Sequence, residues 1–156
     1  MVQLGGLAEN DFLYSYAEDI DAAGNVVVGY GVNVDGWSTR AFRWTETNGM
    51  MQLGSLSTTF DDSKALAISA DGSTIVGYSN SDASGGGTEA FRWTEGTGMV
   101  GLGDLPGGYL LSTARAVNGN GTVIVGDGYT ESGATAFYWT EADGMKSLSD
   151  LLTDAG

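Results

Sequence analysis

Apolar residues along this chain follow the spacing of short strands rather than helices. Three β-branched runs end in nearly the same way: "NVVVGY" at 25–30, "STIVGY" at 73–78 and "TVIVGD" at 122–127. Three further runs share a Phe and a Trp two residues apart: "AFRWTE" at 41–46, "AFRWTE" at 90–95 and "AFYWTE" at 136–141. That spacing points both rings to one side of an extended strand. Only the tail "SLSDLLTDAG" predicts a helical turn.

These runs belong to an internal repeat. Trp44, Trp93 and Trp139 are 49 and 46 residues apart, and the glycines that end the β-branched runs keep a similar period. We place the repeats at 14–56, 63–105 and 113–151 of a single repeat domain, residues 1–156. The opening "VQLGGL" at 2–7 matches the last strand of a repeat and is predicted to be an orphan strand.

Each repeat is predicted to form four strands, A to D. Turn residues such as "ADGS" at 70–73 and "NGNGT" at 118–122 separate strands A and B, because Asp-Gly and Asn-Gly pairs tolerate positive φ. Strand C holds the Phe-x-Trp pair, a second tight turn follows, and strand D is "MxxLGxL". Four-stranded units of this period are typical of β-propeller blades.

Two segments resemble known repeats. "ISADG" at 68–72 and "FRW" at 91–93 resemble the turn and the strand C Trp of WD-repeat blades. "ALAISADGSTIVGY" and "AFRWTEGTGMVGLGDLPGG" resemble the bacterial extracellular HAF-repeat family almost letter for letter. The resemblance implies a β-propeller-type, extracellular repeat protein, and it supplies no catalytic residues. It weakens at the third repeat, which ends "LSDLL".

The fold class expected is all-β, with three four-stranded propeller blades. Propeller rings contain about four to eight blades, so three blades are expected to complete a six-bladed ring as a homodimer, with a piece of a longer propeller as the alternative. A β-trefoil and a β-prism are the alternatives, since both close with three repeats.

The composition of the chain excludes several classes of function. The 20 acidic and 6 basic residues give a net charge of −14, which disfavours nucleic acid and anionic membrane surfaces as partners. The absence of His and Cys excludes the common catalytic triads. No cofactor and no metal site are predicted. The opening segment lacks the pattern of a signal peptide, and Met1 is interpreted as a start placed within a longer natural protein.

Loop variability indicates where a ligand would bind. The A–B and C–D turns nearly repeat, whereas the B–C and D–A loops all differ and gather on one face of a propeller. Aromatic and acidic residues there suit a glycan. The predicted ligand-binding residues are Trp37, Phe60, Asp61, Tyr109 and Tyr129. Packing at the blade tops is the alternative role for Phe60 and Tyr109.

The repeated charged residues receive structural roles. Arg43 and Arg92 are expected to pair with an acid or a carbonyl at the blade boundary, and Tyr138 replaces them in the third repeat. Glu46, Glu95 and Glu141 are expected to be surface acids.

We expect a non-catalytic binding or structural module of a secreted or cell-surface bacterial protein. Its expected partners are a second copy of itself and a glycan or protein ligand. The alternative function is a fragment of a propeller glycosidase or lyase that uses paired carboxylates.

Overall fold

The computed structural model describes residues 12–34 and 36–154, which form three antiparallel four-stranded sheets and one short helix. Sheet 1 contains β1 (Phe12–Ile20), β2 (Val26–Asn33), β3 (Thr39–Thr45) and β4 (Gly49–Gln52). Sheet 2 contains β5 (Ser63–Ile68), β6 (Ile75–Asn80), β7 (Thr88–Thr94) and β8 (Gly98–Gly101). Sheet 3 contains β9 (Ser112–Val117), β10 (Val123–Thr130), β11 (Gly133–Thr140) and β12 (Gly144–Ser147). The helix α1 spans Leu148–Asp154.

The strand order within each sheet follows the chain, as predicted for four-stranded blades. The helical turn predicted in the tail corresponds to α1. The predicted orphan strand at 2–7 lies outside the described residues. Among the described residues, no helix has the length and apolar character needed to cross a membrane.

The A–B turns are held by one repeated arrangement of hydrogen bonds. In sheet 2 the Ser69 hydroxyl accepts the backbone N–H of Thr74 at 3.0 Å, and Gly72 turns the chain with φ of 73°. In sheet 1 the Asp21 carboxylate does the same for Val26 at 2.9 Å. A side-chain oxygen before each turn therefore fixes the hairpin, and glycine supplies its positive φ.

The C–D turns explain why a Thr follows each repeated Trp. The Thr94 hydroxyl accepts the backbone N–H of Thr97 at 3.3 Å, and Gly98 follows with φ of 69°. Thr140 accepts the N–H of Asp143 in the third repeat at 3.2 Å. The repeated Thr and Gly are therefore turn residues.

A β-bulge in strand A explains the repeated glycine of strand B. In sheet 2 the pairing shifts between Ala65 and Ala67, and the bulged strand pushes the Lys64 carbonyl toward Gly77. A Cβ atom on Gly77 would lie only 1.9 Å from that oxygen. Gly29 and Gly126 would meet the equivalent carbonyls at 1.9 and 2.0 Å, so only glycine fits in all three sheets.

The sheets stack in chain order, with sheet 2 in the middle. We call the side of a sheet that faces the preceding sheet its front side, and the side that faces the following sheet its back side. In the core between sheets 1 and 2, Val28 on the back side of sheet 1 packs with Phe91 and Trp93 on the front side of sheet 2. The core between sheets 2 and 3 repeats this, with Val76 against Phe137. Phe91 and Trp93 of the second strand C and Phe137 of the third are therefore core residues between the sheets.

A buried serine joins each pair of sheets. The hydroxyl of Ser63, in β5, accepts the backbone N–H of Ala41 in sheet 1 at 3.1 Å. Ser112, in β9, accepts the N–H of Ala90 at 3.0 Å and donates to the Gly103 carbonyl at 2.8 Å. Strand A of each following sheet is thereby bonded to strand C of the sheet before it.

Strand D is shorter than predicted. The sequence pattern extends it to Leu56 in the first repeat, but β4 ends at Gln52. Gly54 then adopts φ of 88°, which turns the chain out of the sheet, and Leu56 forms an isolated parallel bridge with Ser81 of the next repeat. The end of the "MxxLGxL" pattern is therefore a crossing segment between sheets.

Within the described residues, sheets 1 and 3 share none of the extensive strand contacts that each makes with sheet 2. A trefoil or a prism closes its three repeats on one another, whereas the described strands of sheets 1 and 3 each pack against sheet 2. The stack is consistent with consecutive blades of a propeller.

Candidate functional site

The irregular loops gather on one face of the stack, as the sequence predicts. We call this the loop face; it carries the B–C and D–A loops, and the opposite turn face carries the A–B and C–D turns. In an antiparallel sheet of order A-B-C-D these two sets of connections lie at opposite ends of the strands. Contacts between loops of adjacent sheets confirm the arrangement.

One aspartate ties two neighbouring loops on this face. The Asp82 carboxylate, in the B–C loop of sheet 2, accepts the Ser57 hydroxyl at 2.5 Å and the Thr58 hydroxyl at 2.8 Å from the preceding D–A loop. These bonds, led by the one from Ser57, lower the pKa of Asp82 below its usual value. Ser57 also accepts the backbone N–H of Phe60 at 3.0 Å, which fixes the loop beneath that ring.

Phe60 and Asp61 lie side by side on the loop face and have different surroundings. Phe60 is 54% exposed, and a Cβ on Gly86 would lie 3.3 Å from its ring. Asp61 forms an ion pair with Arg40, whose guanidinium also donates to the Asp61 carbonyl at 2.6 Å. The Asp61 carboxylate is therefore engaged within the protein and remains partly exposed.

Tyr109 and Tyr129 meet on the same face. Their ring centroids are 6.1 Å apart, and the rings cross at 73° in an edge-to-face contact. Gly108 makes this approach feasible, because a Cβ there would lie 2.2 Å from the Tyr129 carbonyl. Tyr129 is half-buried and supports Tyr109, which is 75% exposed.

Trp37 lies in the B–C loop of sheet 1 and is 88% exposed. The loop is closed by a 2.8 Å hydrogen bond from the Asn33 N–H to the Ser38 carbonyl. The predicted residues thus fall into three groups along the loop face: Trp37, the pair Phe60 and Asp61, and the pair Tyr109 and Tyr129. The Phe60 and Tyr109 groups flank the B–C loop of sheet 2. In that loop, Gly86 lies against Phe60 and Gly87 lies against the Leu110 carbonyl.

A cleft lies on the turn face, where the sequence predicts no site. Its volume is about 760 Å³. It runs between the A–B and C–D turns of sheets 2 and 3, and we call it the turn-face cleft. Its charged and aromatic lining consists of Arg43, Arg92, Trp93, Glu95, Trp139 and Glu141. The predicted exposure of the repeated glutamates is confirmed, because Glu46, Glu95 and Glu141 are all exposed.

The expected pairing of Arg43 and Arg92 is wrong. Among the described residues, neither guanidinium makes a hydrogen bond or an ion pair, and the buried Nε of Arg92 has no acceptor. The physical reason is their position on strand C. Both side chains line the space between turns, and the acids that line the same space, Glu95 and Glu141, lie at the exposed C–D turns.

Glu89, in β7, and Asp104, which follows β8, are two carboxylates whose charges interact. Glu89 is 7% exposed, accepts the Gly103 N–H at 3.0 Å and accepts the Ser81 hydroxyl. Burial raises the pKa of Asp104; the Ser112 hydroxyl opposes this effect and the charge of Glu89 adds to it. Both Glu89 oxygens are therefore occupied by protein donors. No cluster of three or more potential metal ligands occurs among residues 12–34 and 36–154.

Comparison with known proteins identifies the fold. No family model and no curated protein sequence matches the chain. The chain is similar to the crystal structure of TolB from Acinetobacter baumannii, with a TM-score of 0.61 and 14% identity over 87% of this chain and 32% of that one. It is also similar to a putative TolB from Agrobacterium tumefaciens, with a TM-score of 0.60 and 15% identity over 88% of this chain and 50% of that one.

These similarities show a fold of β-propeller type, and the chain spans at most half the length of either protein. They favour the propeller over the trefoil and the prism. The resemblance to HAF repeats is supported by no family model and stays a prediction.

Proposed function

We propose that this chain is a non-catalytic binding module of a secreted or cell-surface bacterial protein, and that a glycan or protein ligand binds at its loop face. The observation that carries this proposal is the exposure of three large aromatic side chains on that face. Trp37, Tyr109 and Phe60 are 88%, 75% and 54% exposed. Exposed aromatics offer flat apolar surfaces that stack on sugar rings or fill a partner's pockets.

The loops that carry Phe60 and Tyr109 are preorganised. Phe60 stands on a loop fixed through Ser57 and Asp82, and Tyr109 rests against Tyr129. A side chain already held in place loses little conformational entropy on binding. The order of these loops therefore supports a binding role. The carboxylates of Asp61 and Asp82 are engaged within the protein and serve mainly to keep the loops in place.

We further propose that the module closes into a six-sheet ring of two copies. On the back side, Val28 and Val76 are fully buried between sheets, but their equivalent Val125, in sheet 3, is 41% exposed. Leu102 is 8% exposed and its equivalent Leu148 is 44% exposed. Sheet 3 thus presents to solvent the same apolar positions that sheets 1 and 2 bury.

Part of the front side of sheet 1 shows the complementary pattern, although Phe42 on that side is 1% exposed. Ala65 and Ala114 are fully buried, whereas the equivalent Ala17 is exposed. Ile68 is 6% exposed and its equivalent Ile20 is 52% exposed. A front side packs against a back side in both internal interfaces. A second copy related by a two-fold rotation would therefore cover both open ends of the stack.

A polar pair would complete each new interface. Ser15 occupies the position of Ser63 and Ser112, and it is exposed. Ala136 occupies the position of Ala90, the donor to Ser112, and it is also exposed. In the proposed ring Ser15 of one copy accepts the Ala136 N–H of the other, as Ser112 does within the chain.

A glycosidase or lyase fragment is the alternative function, and Glu89 with Asp104 is the carboxylate pair that would support it. The raised pKa of Asp104 suits a general acid. Glu89, however, is buried and bound by Ser81 and Gly103, so it lacks the access to substrate that a nucleophile or base needs.

The binding proposal is tested by incubating the protein with a panel of immobilised polysaccharides and measuring retention and released sugar. We expect retention without product. The double variant Trp37→Ala/Tyr109→Ala should lower retention while the circular dichroism spectrum stays unchanged, and Leu152→Ala, which removes an exposed apolar residue of α1, serves as the control. Release of reducing ends that Asp104→Asn abolishes would establish the enzyme instead. Loss of fold in the double variant would assign the aromatics to packing.

A further inference from the structure

We propose that the turn-face cleft is a binding site for an acidic oligosaccharide, whose carboxylate groups are bound by Arg43 and Arg92. The site lies on the opposite face from Trp37, Phe60 and Tyr109. Its lining comes from a single chain, so it depends neither on the loop face nor on ring closure.

The two arginines differ from the other basic residues of the chain. The remaining four of the six have partners in the structure: Arg40 with Asp61, Arg115 with Asp127, Lys146 with Asp143, and Lys64 over the ring of Tyr30. Arg43 and Arg92 have none among the described residues, although the chain carries 20 acidic side chains. Both line the same cleft.

An unpaired guanidinium in a cleft specifies the chemistry of its ligand. A partly buried N–H without an acceptor is unfavourable, and the Nε of Arg92 is in this condition. A carboxylate supplies two acceptor oxygens that match the fork of an arginine, either side-on through Nε and Nη or end-on through both Nη atoms. An anionic ligand therefore satisfies groups that the protein leaves unsatisfied.

The cleft contains the same set of groups twice. Each subsite joins an arginine of one sheet to the A–B turn and the Trp-Thr-Glu segment of the next. The first consists of Arg43, residues 72–74 and residues 93–96; the second consists of Arg92, residues 120–123 and residues 139–142. Packed sheets lie about 10 Å apart, so the two guanidinium groups are expected to be separated by a distance of that order.

Two equivalent subsites suit a polymer that repeats its charged unit. An acidic polysaccharide places a carboxylate on successive residues, whereas the sequence of an acidic peptide need not keep such a period. The rest of the lining fits sugar hydroxyls, because it provides the hydroxyl groups of Ser73, Thr94, Thr122 and Thr140 and the exposed carboxylates of Glu95 and Glu141. Half-buried Trp139 adds an apolar surface for a ring face.

The test is isothermal titration calorimetry of the full chain with oligogalacturonate as the probe. Methyl-esterified oligogalacturonate is the matched control, since it keeps the sugar backbone and removes the charge. We expect the acid form to bind, the ester to bind at least about tenfold more weakly, and the affinity for the acid to fall as salt rises. An oligoglutamate peptide, titrated in parallel, should bind at least about tenfold more weakly than the acid sugar, because it repeats the charge but lacks the hydroxyl groups and ring faces that the rest of the lining contacts.

Variants locate the site. Arg92→Gln and Arg43→Gln should each weaken binding by roughly ten- to a hundredfold, the range for losing a charge-assisted hydrogen bond. Arg92→Lys should restore binding only in part, because an ammonium lacks the planar fork. Arg115→Gln, at an exposed ion pair on β9, should leave the affinity unchanged.

Three results would overturn the proposal: equal binding of acid and ester, affinity that Arg43→Gln and Arg92→Gln leave unchanged, or binding of oligoglutamate without oligogalacturonate. Failure of the loop-face proposal gives a different result. Trp37→Ala/Tyr109→Ala would then retain full binding of every polysaccharide, while the effects of the arginine variants on oligogalacturonate would remain.

Discussion

The hydroxyl of Ser112 accepts the backbone N–H of Ala90 at 3.0 Å and joins the inner strand of sheet 3 to strand C of sheet 2. Ala90 is fully buried and Ser112 is 2% exposed, so water cannot replace this bond. The same bond joins Ser63 to Ala41 one repeat earlier. The stack is thus held by one polar contact in each interface as well as by apolar packing.

Ser112→Ala should lower the free energy of unfolding by about 1–3 kcal/mol, because it leaves the buried Ala90 N–H without an acceptor. Urea denaturation measures the change. Ser132→Ala, at an exposed position in the B–C loop of the same sheet, should change stability by less than about 0.5 kcal/mol. Equal effects of the two substitutions would contradict the assigned role of Ser112.

Gly77→Ala should destabilise the protein more than most single substitutions. The new methyl group would lie 1.9 Å from the Lys64 carbonyl, so the bulged strand must move, at an expected cost of about 1–3 kcal/mol or more. Gly96→Ala is the control, because no atom lies within 4 Å of the position its Cβ would take. Comparable melting temperatures for both variants would show that the bulge does not require glycine.

Trp93→Ala should cost about 3–5 kcal/mol of stability, the range for truncating a buried Trp. Trp93 is 7% exposed and belongs to the core between sheets 1 and 2. Trp37→Ala removes an 88% exposed ring and should scarcely change the melting temperature. A small shift for Trp93→Ala would exclude it from the core.

Asp104→Asn should stabilise the protein at neutral pH. Burial raises the pKa of this carboxyl above its ordinary 3.8, so its charged form is less favourable in the folded state than in the unfolded state. This penalty is present above the folded-state pKa and disappears as the pH falls below the ordinary value. The stability difference between variant and parent should therefore shrink toward pH 3, a value below the ordinary pKa.

Asp150→Asn is the matched control for that experiment, because Asp150 occupies the equivalent position in the third repeat and is exposed. Thermal unfolding of both variants across the pH range measures the difference. A stabilisation by Asp104→Asn that stays constant with pH would show that the charge of Asp104 is not its cause.

Local sequence patterns predicted the strands, the turns and the stacked sheets because each depends on neighbouring residues. The Asp-Gly and Asn-Gly pairs set the hairpins, and the spacing of Phe91 and Trp93 set the core side of strand C. The sequence showed that the glycine at position 77 recurs in every repeat. It did not show why glycine is required there, because the reason is the Lys64 carbonyl on a neighbouring strand. The sequence pattern also made strand D too long, since it could not reveal the turn at Gly54.

The candidate sites were less predictable. Exposure of Trp37 and Tyr109 followed from their variable loops. The unpaired state of Arg43 and Arg92 did not, because it depends on which side chains of the next sheet reach each guanidinium in the folded protein. One sequence feature could have indicated this site. An Arg directly precedes the repeated Trp in the first two repeats, although the chain has few basic residues.

Closure of the stack by a second copy is the central claim, and light scattering on a size-exclusion column tests it most directly. We predict twice the mass of one chain, unchanged on dilution to low micromolar concentration. Val125→Asp, which places a charge on the 41% exposed back side of sheet 3, should give a folded monomer. A parent chain that elutes as a stable monomer, with Ile20 and Val125 in solvent, would contradict the ring.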